Sequence, residues 1–112
     1  MKKSEQALII HLKLSDDELG SSSEQRQLMD LETKMRESIA DPTLGNEVDG
    51  HEFGGGFCKF YLYGPNADEL ENKVKPLLKE TTIRSGSFIL KRYGAALDWK
   101  AKKEIIKLES SQ

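Results

Sequence analysis

The stretch GNEVDGHEFGGGFCKFYLYG (residues 45–64) carries three acids and a histidine ahead of three consecutive glycines and an aromatic run. Its second half, FCKFYLY (residues 57–63), is the strongest strand signal in the chain, because aromatic side chains suit a pleated, half-buried surface. Period two places Cys58, Phe60 and Leu62 on one face and Phe57, Lys59, Tyr61 and Tyr63 on the other. Residues 46–52 read as a weaker, acidic strand, and Gly54, Gly55 and Gly56 as the turn that folds it back. The stretch is therefore a hairpin, and the rest of the chain is arranged around it.

Before the hairpin, ALIIHLKL (residues 7–14) alternates, with Leu8, Ile10, Leu12 and Leu14 on one face and Ile9, His11 and Lys13 on the other. Ser21 with Glu24 three residues later forms a capping box. Leu28, Leu31, Met35 and Ile39 then recur at helical spacing until Asp41-Pro42, where the residue before proline is driven out of helical geometry. After the hairpin, Asn66 can cap a second helix with Asp68 and Glu69 in its first turn. Leu70, Val74, Leu77 and Leu78 form its apolar stripe, and Pro76 is expected to kink or shorten it. SFILKRYG (residues 87–94) is a further strand. The remainder holds Trp99, a lysine cluster and the apolar run Ile105, Ile106 and Leu108, a candidate extra strand.

The order strand, helix, strand, strand, helix, strand predicts an α+β, ferredoxin-like βαββαβ domain with two helices on one face of a four-stranded antiparallel sheet. Its first and third strands would be central and its acidic strand an edge. The domain is expected to span residues 1–98, followed over residues 99–112 by a charged tail that can add a short extra strand.

The chain has 112 residues, enough for one core, and a net charge of −2, too balanced to argue for nucleic acid as the partner. The single cysteine, Cys58, forms no internal disulfide. His11 and Lys13 interrupt the only apolar stretch near the start, and no run approaches the ~20 apolar residues of a membrane span. A cytoplasmic address without membrane attachment is expected.

Asp49, His51 and Glu52 could supply oxygen and nitrogen ligands or an acid–base pair. No cysteine or second histidine stands at ligand spacing, so no metal, cofactor or catalytic residue is expected. The glycines lead into a strand, whereas a phosphate cradle opens a helix. Only His11 and His51 could serve a serine as base, and no Gly-x-Ser-x-Gly is present. Cys58 shares a face with Phe60 and Leu62, as a core thiol does.

One constellation remains. If Leu8, Ile10, Phe60, Leu62, Phe88 and Leu90 face the helices, the opposite face displays His11, Lys13, Lys59, Tyr61, Tyr63, Ile89, Lys91 and Tyr93. Such a face can bind a protein, pair with a second copy, lie under the Trp99 tail, or stack single-stranded bases. A protein partner or homodimer is the leading expectation. A small enzyme or ligand site at Asp49, His51 and Glu52, with His11, Arg92 and Tyr93 nearby, is the alternative.

The segments GNEVDGHEFGGG, FYLYGPNADEL, VKPLL and LKRYG resemble those of a family of small, uncharacterised bacterial α+β proteins, over roughly residues 7–94. The resemblance implies a stand-alone domain of the bacterial cytoplasm. It carries no activity onto particular residues.

Overall fold

The computed structural model describes residues 5–111. Along the chain come β1 (Gln6–Lys13), α1 (Ser22–Ile39), β2 (Glu47–Gly54), β3 (Phe57–Gly64), α2 (Ala67–Lys79), β4 (Phe88–Arg92) and β5 (Lys103–Lys107). The fold is α+β. Its strands form one antiparallel sheet in the order β2-β3-β1-β4-β5. The fifth strand is the candidate C-terminal one: β5 extends the four-stranded sheet by pairing with β4 along its whole length. No helix among the described residues is long and apolar enough to cross a membrane.

The hairpin forms for a backbone reason. Gly55 and Gly56 have φ of 59° and 85° between the paired Gly54 and Phe57. Two successive residues at positive φ make the tight turn whose twist matches antiparallel strands, and glycine enters that region without a Cβ penalty. The two glycines are not equivalent. A Cβ on Gly55 would meet nothing within 4 Å among the described residues, whereas one on Gly56 would lie 3.1 Å from Asp16 O and Asp17 Cα. Gly56 also bonds the 14–18 loop through Leu14 N–H to its carbonyl (2.8 Å) and its own N–H to Glu18 O (3.0 Å). Gly55→Ala should therefore cost about 1 kcal/mol of left-handed strain and Gly56→Ala clearly more. Urea unfolding of the two variants checks the order.

Both helices start as their caps direct. Ser21 Oγ accepts the Glu24 N–H at 3.1 Å while Glu24 Oε1 accepts the Ser21 N–H at 2.9 Å. Asn66 Oδ1 accepts the Glu69 N–H at 3.1 Å. Asn46 Nδ2 donates to the carbonyl of Ile39 at the end of α1. Pro76 does not end α2, which continues to Lys79. The proline lies on the solvent side, and burial of Leu78 holds the final turn onto the sheet.

The core lies between the helices and one sheet face. Leu8, Ile10, Leu12, Cys58, Phe60 and Leu62 meet Leu28, Leu31, Met35 and Ile39 of α1 and Leu70, Val74 and Leu78 of α2. The expectation for β4 is overturned. Leu8 pairs with Lys91 and Ile10 with Ile89, so Ile89 and Lys91 lie under the helices, both at most 5% exposed. Phe88, Leu90 and Arg92 point the other way. A one-residue slip of register transfers every side chain of a strand to the opposite face. The run Phe88-Ile89-Leu90 is apolar on both faces, so its pattern left the choice open. The tail does not close over the sheet either: Trp99 is 83% exposed.

Candidate functional site

The acidic rim expected on β2 is divided by the pleat. His51 opposes Phe60 on the helix side, where its Nδ1 lies 3.0 Å from Oε2 of Glu32 in α1. Glu32 is buried and is approached by Arg36 at 3.6 Å. Glu52 opposes Lys59 on the open side and accepts the Tyr61 hydroxyl at 3.0 Å. Asp49 sits in a bulge between Val48 and Gly50, exposed, with its charge acting on Tyr63. The ordinary pleat sets His51 and Glu52 on opposite faces, as alternation predicts, and the bulge takes Asp49 out of the alternation that would have placed it beside His51. Among the described residues no group of three or more histidines, cysteines or carboxylates is placed to hold a metal ion.

Cys58 is fully buried beside this rim. Burial, reinforced by the Glu32 carboxylate, pushes its thiol up to about 12. The nucleophilic form of cysteine is the thiolate, so a thiol held protonated belongs to the packing of the core.

Lys91 and Tyr93 are not on the open face. Lys91 Nζ lies 2.6 Å from Asp68 Oδ1 and 2.6 Å from Glu71 Oε1 of α2, and 3.6 Å from Glu104 of β5. The Tyr93 hydroxyl donates to Asp68 (2.7 Å) and reaches Glu104 (3.1 Å). This cluster ties the start of α2 to β4 and β5.

The open face gathers the other candidates, His11, Lys59, Tyr61 and Tyr63, with residues the sequence pattern did not assign to it. His11 stacks on Phe88 at 4.1 Å and 15° between planes, and Phe57 stands edge-on to both rings. Burial lowers the His11 pKa, against a raising hydrogen bond to Ile9 O, and Lys59 adds to the lowering. A neutral imidazole stacked on phenylalanine behaves as a further aromatic ring.

The strand pairings arrange this face in three rows running from β2 to β5. The first reads Glu47, Tyr63, Ala7, Arg92, Lys103; the second Gly50, Tyr61, Ile9, Leu90, Ile105; the third Glu52, Lys59, His11, Phe88, Lys107. The outer rows begin with an acid and end with a lysine, and the middle row carries no charge. Arg92 donates Nε to Gly94 O at 2.7 Å, and its buried Nη2 has no hydrogen-bond partner among the described residues. Among these residues Ile105 is 66% exposed, and no described helix packs on this side. Alternation of Lys103, Ile105 and Lys107 was the available signal for the β5 contribution. Phe88, Leu90 and Arg92 could be found only through the β1–β4 register.

No protein-family model matches the chain, and no curated protein or solved structure is significantly similar to it.

Proposed function

We propose that the chain is a non-enzymatic binding module of ferredoxin-like type that works through its open sheet face. The order β2-β3-β1-β4, with one helix after β1 and one after β3, supports the split βαβ arrangement, to which β5 is an addition. The observation that carries the function is the joined patch of Ile9, His11, Phe57, Phe88, Leu90 and Ile105, with no described helix over it. A connected apolar surface edged by charges marks a contact with another molecule. The resemblance to small bacterial domains and the unpaired thiol of Cys58 support a bacterial cytoplasmic setting.

Two observations weigh against chemistry at the β2 rim. Its acids are split between faces, and the adjacent thiol is held protonated. The test is amide-resolved NMR, recorded in a dilution series of the chain and during titration with single-stranded oligodeoxythymidine. Shift changes should fall on the amides of β1, β3 and β4 around Ile9, Tyr61 and Leu90. Changes confined to His51 and Glu32 would overturn the assignment.

A further inference from the structure

We propose that the occupant of the open face is a second copy of this chain, set face to face about a twofold axis running along β1. The proposal rests on the open face being the working surface, and it adds the partner and the geometry. β1 is the middle strand of five, so an axis above it lays one whole sheet over the other. Rotation about a line parallel to the strands reverses their order, which puts β2 of one copy over β5 of the other.

The three rows then become self-complementary. In the third row Glu52 faces Lys107 of the second copy, Lys59 faces the Phe88 ring and His11 meets His11. In the first row Glu47 faces Lys103. In the middle row Tyr61 faces Leu90, Ile9 meets Ile9, and the protruding Ile105 lies over Gly50, which has no side chain to obstruct it. A twofold axis across the strands would instead stack β2 on β2, acid over acid. The charge gradient thus selects one of the two axes lying in the plane between the sheets. An isologous interface needs a patch complementary to itself, and this face has that property in charge and in size.

Single-stranded nucleic acid could use the same rings and lysines. The acidic β2 edge repels a phosphate backbone, whereas it completes a pairing with β5 of a second copy. Stacked sheets keep their strands within roughly 30°, so packing is closest near β1, and long lysine side chains span the diverging rims. The apolar middle row supplies affinity. The rim charges supply orientation, because like charges brought together across an interface are strongly disfavoured.

The test uses the full chain with Glu52→Lys and Lys107→Glu, both substitutions at exposed positions. Sedimentation velocity at matched concentrations should show a salt-resistant wild-type dimer. Each single variant places two like-charged pairs across the axis and should weaken self-association by roughly tenfold or more. An equimolar mixture of the two variants restores opposite charges at both rims and should form the heterodimer with near wild-type affinity. A wild-type dimer indifferent to both substitutions would overturn the proposal, because association would then use another surface. A monomer whose open-face amides shift with oligodeoxythymidine would also overturn it, while leaving the binding module standing. A monomer that shows neither response would overturn both.

Discussion

Replacing Lys91 by methionine is expected to destabilise the chain by about 3–5 kcal/mol, the cost of breaking a buried ion pair by removing one partner. Lys91 is 5% exposed, and its ammonium touches Asp68 and Glu71 at 2.6 Å each. Burial alone would lower its pKa. Hydrogen bonds with Asp68, Glu71 and Tyr93 outweigh that, and the net shift is upward from 10.5. Methionine keeps the stem of the lysine but leaves Glu71, whose side chain is 18% exposed, without its cation. Against a total stability of roughly 5–15 kcal/mol, this is a large fraction.

The same cluster sets a pH dependence. Because the folded pKa of Lys91 is raised, its contribution is complete below 10.5 and is lost as pH climbs through the raised value. The Asp68 pKa is lowered, first by the Lys91 hydrogen bond and then by Tyr93, so its contribution is present above 3.8 and is lost as pH falls through the lowered value. In Lys91→Met the penalty comes from stranded carboxylates, so it should shrink on acidification as they take up protons. The double variant Lys91→Met/Glu71→Leu should recover more than half of the loss. Urea titrations of wild type, single and double variants at neutral and mildly acidic pH read all of this. A loss below about 1 kcal/mol for the single variant would mean that water takes the place of the ammonium around the carboxylates.

The second large effect separates the two faces of the sheet. Phe60→Ala should cost about 3–5 kcal/mol and Phe88→Ala about 1 kcal/mol. Phe60 is fully buried beneath the helices, and its removal leaves a cavity bounded by elements that cannot all collapse into it. Phe88 is half-buried on the open face, where its main ring contact is the stack on His11. Both should be measured at concentrations low enough for the monomer, since association adds to apparent stability. Equal costs would mean that β4 sits in the alternative register, with Phe88 and Leu90 in the core.

That register is where sequence and structure part. The hairpin could be read from residues 54–56 because two positive φ angles in succession admit little besides glycine. Ser21 with Glu24, and Asn66 with Glu69, announced both helix starts because a cap is a local bond between near neighbours. The faces of β1 and β3 were legible because polar residues mark one side of each, His11 and Lys13 in β1 and Lys59 in β3. The β2 site was not. Alternation set Glu52 opposite Asp49 and His51, but the bulge that parts Asp49 from His51 gave no sign, and Glu32, which His51 meets, lies 19 residues away.

By itself the sequence determined the order of the elements, the turn, the caps and the inner faces of β1 and β3. All of these depend on bonds or periodicities within a few residues. Only the tertiary structure decided which face of β4 is buried, that Lys91 is neutralised from α2 and β5, and that β5 completes a basic edge opposite the acidic β2. Those outcomes depend on pairing between distant segments, where Phe88, Ile89 and Leu90 are equally apolar. In the observed register the carboxylates of Asp68 and Glu71 accept the lysine that the helix side of β4 buries.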